Sequence, residues 1–164
     1  MPIFERASAS DIAALSELLT VLFTQEVEFQ PDTAAQCKGL AAIINNPDMG
    51  IILVAREGKA IQAMVSLLFT ISTAIGERVA LLEDMIVAPT ARGSGVGSAL
   101  LNHAIDVARR SGAKRVTLLT DRENTAAQRF YARHGFTLST MVPMRRTLGA
   151  FDVELGTRRD EPPT

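Results

Sequence analysis

The chain has 164 residues, 47% of them apolar and 21% charged, with a formal net charge of −1. That length supplies one domain with a substantial core, and the near-neutral charge gives no electrostatic case for nucleic acid or an anionic membrane as a bulk partner. No apolar run approaches the ~20 residues that span a bilayer, residues 1–5 do not read as a signal sequence, and a single cysteine, Cys37, excludes an internal disulfide and suits the cytoplasm.

Residues 3–7 read as a short opening strand. Ser8, Ser10 and Asp11 offer N-caps for a helix over 11–26. A break at Gln30-Pro31-Asp32 precedes a second helix over 33–44, closed by Asn45-Asn46-Pro47. Three strands follow at 51–56, 60–73 and 78–87, joined by turns around Gly58 and Gly76 that suit antiparallel hairpins.

Over 95–111 the apolar residues Val96, Leu100, Leu101, Ala104, Ile105 and Ala108 fall on one helical stripe. Asn102, His103, Asp106, Arg109 and Arg110 fall opposite, so His103 reads as a solvated helix residue. Gly112 caps that helix, and a strand over 115–120 follows. A last helix, 124–134, ends at Gly135, with His134 as a residue compatible with the helix dipole. Strands at 136–138 and 142–148 are expected to complete the sheet. The division expected is a domain over 1–148 and an extension over 149–164, whose last residues are too charged and proline-rich to pack alone. Within the extension Phe151, Val153 and Leu155 alternate as in a half-buried strand. Such a short strand needs an edge to pair with, its own or a second subunit's, and the expectation is a homodimer.

The most specific feature lies between the third strand and the long helix, where Arg92-Gly93-Ser94-Gly95-Val96-Gly97 links the two. Glycines let the backbone approach a ligand closely and adopt φ > 0. The helix start adds unpaired N–H groups and a positive dipole end, which together suit a phosphate. A P-loop would need Gly-Lys-Ser/Thr there, but Gly97 is followed by Ser98-Ala99. A dinucleotide fingerprint needs Gly-x-Gly-x-x-Gly after the first strand of a βαβ unit, and the spacing here is Gly93, Gly95, Gly97.

The pattern Arg-x-x-Gly-x-Gly, taken with the downstream Asn124-x-x-Ala127-x-x-Phe130-Tyr131-x-x-x-Gly135-Phe136, resembles the GNAT superfamily of acyl-CoA-dependent N-acetyltransferases. The resemblance is closest over 79–148 and looser over 1–78. It implies an α/β fold of the α+β type: a mixed, mostly antiparallel twisted sheet of about seven strands, flanked by about four helices and splayed between the fourth and fifth strands. It also implies acetyl-CoA as cosubstrate, no metal, and direct transfer of the acetyl group to a primary amine within a ternary complex. A small-molecule acceptor of polyamine, amino-sugar or amino-acid type is the leading expectation. A peptide or protein amine is the runner-up, and a non-catalytic acyl-CoA-binding module is the alternative from another class.

The same resemblance distributes roles. Arg92, Gly93, Ser94, Gly95, Val96 and Gly97 would hold the pyrophosphate. Ile86, Val87 and Ala88 would line the pantetheine arm, with the Val87 amide as the oxyanion donor, and Asn124 would cap its helix and touch the same arm. Tyr131, the only tyrosine, would protonate the departing thiolate. Glu83 would serve as base, directly or through water. Glu83 and Asp84, being adjacent on a strand, are expected to face opposite ways, with Asp84 contributing to the acceptor site or its support. Glu26, Glu28 and Asp32 form an acidic rim in the break between the first two helices, which favours a cationic acceptor and makes Glu28 a candidate binding residue.

Overall fold

A computed structural model describes residues 1–26 and 28–149. The chain opens with β1 (Ile3–Arg6), a 3-10 turn (Ala9–Asp11), α1 (Ile12–Gln25) and α2 (Thr33–Ile44). It continues as a meander of β2 (Gly50–Glu57), β3 (Ala60–Ser72) and β4 (Glu77–Val87). A second 3-10 turn (Pro89–Ala91) leads to α3 (Val96–Arg110), β5 (Val116–Leu118) and α4 (Thr125–Ala132). The strands pair in chain order, antiparallel from β1 to β4. The last pair, β4 and β5, is parallel, which requires the crossover that α3 supplies.

The two faces of this sheet hold two cores. On one, Leu100, Leu101 and Ala104 of α3 pack against Leu53, Val65, Leu67 and Leu82. On the other, Leu15, Leu18 and Leu19 of α1, with Leu40 of α2, cover Ile52, Val54, Met64 and Ile86. Each large side chain sealed in this way contributes roughly 1.5–3 kcal/mol. The helices meet through buried Gln36, whose amide donates to the Ser16 carbonyl at 2.9 Å and to the Ser16 hydroxyl at 3.0 Å. At the sheet's first edge Arg56 donates to both Glu5 and buried Asp11. Burial pushes the Asp11 carboxyl up, but the Ser8 amide and Arg56 outweigh it and hold the group below its ordinary range.

Four expectations need correction. The strands anticipated at 136–138 and 142–148 do not form, so the sheet of the described residues has five strands rather than about seven. Pro143 lacks the N–H that a ladder needs, Arg145 is drawn instead to Glu28, and Met144 and Leu148 stand exposed. Next, β4 does not alternate regularly through its carboxylates. Ser66 pairs with Glu83 and Met64 with Ile86, so Asp84 and Met85 together oppose Val65: a β-bulge, with Asp84 at φ 52°. Lastly, α4 stops at Ala132, before His134, and His103 is not simply solvated, since its ring stacks on Phe4 at 5.6 Å. The strand expected at 151–155 and the tail beyond lie outside the described residues.

Candidate active site

The site begins where β4 outlives its neighbour. β5 pairs only with Ala80, Leu81 and Leu82, whereas β4 runs on to Val87. Past Leu82, no partner occupies that side of β4 among the described residues. The Ala88 N–H donates back to Gln62 at 2.8 Å, and the Ala80 N–H donates the other way, to Arg115 at 2.9 Å. Successive amides of a strand point to opposite sides, so the Val87 N–H faces the splay. The Ile86 side chain is buried under α1, and by the same alternation its N–H faces β3 rather than the opening.

The loop after β4 is shaped by its glycines in two different ways. Gly93 (φ 77°) and Gly95 (φ 84°) take left-handed conformations, and a Cβ on either would meet nothing within 4 Å. Their surroundings are open, as a cradle for a bulky anion must be. Gly97 is instead packed: its Cβ would stand 3.0 Å from a Val87 methyl. Ser94 donates to the Ala91 carbonyl at 2.6 Å and accepts from the Val96 N–H at 3.4 Å, which fixes the entry to α3 while Val96 is buried beneath. The first-turn amides of α3 project into this opening with the positive end of the helix dipole. Arg92 is exposed beside them and forms no salt bridge among the described residues. These features fit a diphosphate.

Across the opening stands α4. Its N-cap, Asn124, accepts from the Ala127 N–H at 3.0 Å, so its oxygen serves the helix. Tyr131 is wedged edge-on between Phe130 (5.2 Å) and Phe136 (5.7 Å). Burial, and then the charge of Glu26, push its hydroxyl up to about 12, so it stays protonated throughout the neutral range.

Carboxylates from separate segments gather opposite this phenol. Asp84, turned aside by the bulge, is raised to about 6 by burial and then by Glu83. Glu26, the residue closing α1, is raised to about 7, first by burial and then by Asp121, Asp84, Glu28 and Glu83. Glu83 is exposed and lies on the α1 face, opposite Ser66. Glu28 is held by Arg145, whose guanidinium lies 5.9 Å over the Phe29 ring. The structure thus brings Glu83, Asp84 and Tyr131 into one neighbourhood and adds Glu26 and Asp121. Glu26 was visible in sequence only as part of an acidic rim; the signal that singles it out is spatial. Among the described residues, no group of acidic, histidine or cysteine side chains is placed to hold a metal, and no helix is long and apolar enough to cross a membrane.

Comparison with known proteins points to one family. The acetyltransferase (GNAT) family model matches residues 12–136. The chain is 34% identical over 135 residues to the uncharacterized N-acetyltransferase YhfO of Bacillus subtilis, covering 80% of this chain and 87% of that one. It is 30% identical over 138 residues to the aminoalkylphosphonate N-acetyltransferase of Salmonella typhimurium, covering 83% and 86% respectively. In fold it resembles a Clostridium acetobutylicum structure described as a predicted acetyltransferase with acetyl-CoA, at a TM-score of 0.75 and 17% identity over 89% of this chain and 96% of that one. The chain belongs to the GNAT acetyltransferase family. It is an acyl-CoA-dependent N-acetyltransferase.

Proposed function

We propose that this protein transfers an acetyl group from acetyl-CoA to the primary amine of a small, cationic acceptor. The observation that carries the reading is the unpartnered end of β4, with the Val87 amide facing the splay and the open glycine loop directly beyond it. Arg92 and the backbone of residues 93–97 bind the diphosphate. Ile86, Val87 and Ala88 border the pantetheine arm, and Asn124 adds a polar contact beside its capping role. Acetyl-CoA, when bound, supplies the activated acyl group as a thioester.

The chain's own groups then handle charge and protons. Glu83 and Glu26 stand on the side from which an ammonium loses its proton, and Glu26, raised to about 7, has a proton affinity matched to neutral pH. The Val87 N–H donates to oxygen as negative charge develops there, a contribution typically worth about 2.7–4 kcal/mol. Tyr131 gives its proton to the departing sulfur. Asp84 and Glu28 shape the acceptor side, where the concentration of carboxylates attracts a cation and repels an anion. An aminoalkylphosphonate, the acceptor named for one relative, carries an anion that this arrangement disfavours.

The lone cysteine suits a cytoplasmic protein, and the sheet edge at β5 supports a homodimer by strand addition. Light scattering after truncation at Gly149 tests the dimer; an unchanged molar mass would show that the extension does not join subunits. For the activity, the decisive experiment is thiol release from acetyl-CoA with length-matched acceptors: a diamine, a neutral monoamine, an aminoalkylphosphonate and a lysine peptide. The diamine should give the highest kcat/KM. Preference for the phosphonate or the peptide would reject the acceptor assignment, and cofactor binding without turnover on any amine would reject catalysis.

A further inference from the structure

His134 makes two hydrogen bonds that a helix terminus does not require. Its Nε2 lies 3.0 Å from the Ser98 hydroxyl and its Nδ1 lies 3.0 Å from Asn102 Oδ1. With an amide oxygen at Nδ1, that nitrogen carries the proton, and Nε2 accepts from the serine. Ser98 belongs to the first turn of α3, one residue after Gly97, and Asn102 lies one turn further. The imidazole therefore fastens the chain beyond α4 to the very turn that borders the glycine loop. Phe130 reinforces the junction: its ring lies 5.0 Å from the imidazole and its edge approaches Gly97.

The same segment contains Tyr131. The Tyr131 carbonyl accepts from the His134 N–H at 2.9 Å and from the Phe136 N–H at 3.1 Å, so phenol and imidazole belong to one closed turn. The phenol's ring contacts are with Phe130 and Phe136. Apolar contacts of this kind hold a ring in a slot but set no direction along it, whereas hydrogen bonds do. A shift of 1 Å in a reacting group can cost about 10²-fold in rate.

We propose that His134 is a positioning residue: by bridging Ser98 and Asn102 it fixes the turn carrying Tyr131 against the start of α3, so that the phenol and the cofactor's diphosphate are held in one frame. This rests on the reading of Tyr131 as the acid and of residues 92–97 as the diphosphate loop.

The test is a double-mutant cycle. His134→Ala should lower kcat about tenfold or more while leaving the Kd for CoA within about twofold. His134→Gln, whose amide offers both an acceptor and a donor, should recover most of the loss. In a Tyr131→Phe background, His134→Ala should cost nothing further, because its effect passes through the phenol. Additive losses, or an unchanged kcat in a folded His134→Ala protein, would overturn the proposal. Where that variant fails to fold, Ser98→Ala and Asn102→Ala, each removing one bond, replace it in the cycle.

A second readout needs no acceptor amine. Tyr131 is the only tyrosine in a chain without tryptophan, so its fluorescence reports this turn alone. Acrylamide should quench it more strongly in CoA-bound His134→Ala than in CoA-bound wild type; identical quenching overturns the positioning role whatever the acceptor. Full kcat in Tyr131→Phe alone would instead bring down the acid assignment, a separate and recognisable result.

Discussion

A methyl of Val87 lies 3.0 Å from where the Cβ of residue 97 would stand, so any side chain there would need that methyl to give by a few tenths of an ångström, and glycine lets α3 sit close on β4. Gly95, two residues earlier, is a conformational requirement at φ 84° in open space. The two glycines should therefore fail differently. Gly97→Ala should lower the melting temperature of the unliganded protein by pushing α3 off β4. Gly95→Ala should incur roughly 1–2 kcal/mol of backbone strain and should lose most of the stabilisation that CoA confers by mass action. Differential scanning fluorimetry with and without CoA separates them. An unchanged CoA shift in Gly95→Ala would remove the loop from the cofactor site.

For Tyr131→Phe we predict a fall in kcat of about 10²–10⁴-fold with the CoA thermal shift retained, because the hydroxyl acts when the thiolate leaves. With the hydroxyl raised to about 12, Tyr131 should impose no alkaline limb on the wild-type rate profile through pH 10. A profile collapsing between pH 9 and 10 in the wild type alone would contradict this.

The carboxylate cluster makes a prediction about stability. Glu26 is raised from 4.5 to about 7 and Asp84 from 3.8 to about 6. Between each pair of values the folded state binds more protons than the unfolded state, so stability falls as pH rises through these windows. Glu26→Gln should then raise the melting temperature at pH 8 by about 2–4 °C per kcal/mol relieved and change it little at pH 4. A melting temperature equal to wild type at both pH values would show that Glu26 carries no such penalty.

Arg56 predicts the opposite sign at the far edge of the sheet. Asp11, held low by the Ser8 amide and Arg56 against its burial, stabilises the fold above its ordinary range and loses that contribution as the pH falls below about 4. Arg56→Met leaves a buried carboxylate without its cation and should cost about 1–3 kcal/mol, measured by urea denaturation at pH 7. The loss should shrink as the pH falls below the ordinary carboxylate range and Asp11 becomes protonated.

The stretch we assign to the cofactor is local in the sequence. The strand, the loop of residues 92–97 and the helix stripe of Val96, Leu100 and Leu101 are contiguous, and the structure forms each element where its immediate neighbours predict it. The acceptor half is assembled from the end of α1, the middle of β4 and the approach to α4, and no period or spacing links Glu26 to Asp84 and Asp121. The bulge escaped notice because a strand's alternation is assumed until a partner's register shows otherwise, and the positive φ falls on aspartate rather than glycine. His134 was read by its place near a helix end, and only the packing of α4 on α3 discloses its partners. Against the strand expected at 142–148 stands Pro143, which lacks the N–H a ladder needs.

The bulge also bears on how the acceptor preference of such a protein could change. Leu82, Met85 and Val87 face the α3 core, and Ile86 faces α1 with Glu83 on the same side. Strike out Asp84 and simple alternation from Leu82 gives each of these residues the face it already has. The strand thus carries a removable letter: losing that one codon would leave the core, the splay and the glycine loop in phase while taking a negative charge from the side we assign to the acceptor. Descendants of one ancestral chain could in this way exchange a cationic acceptor for a neutral or anionic one by a change of length alone, without touching the cofactor's grip.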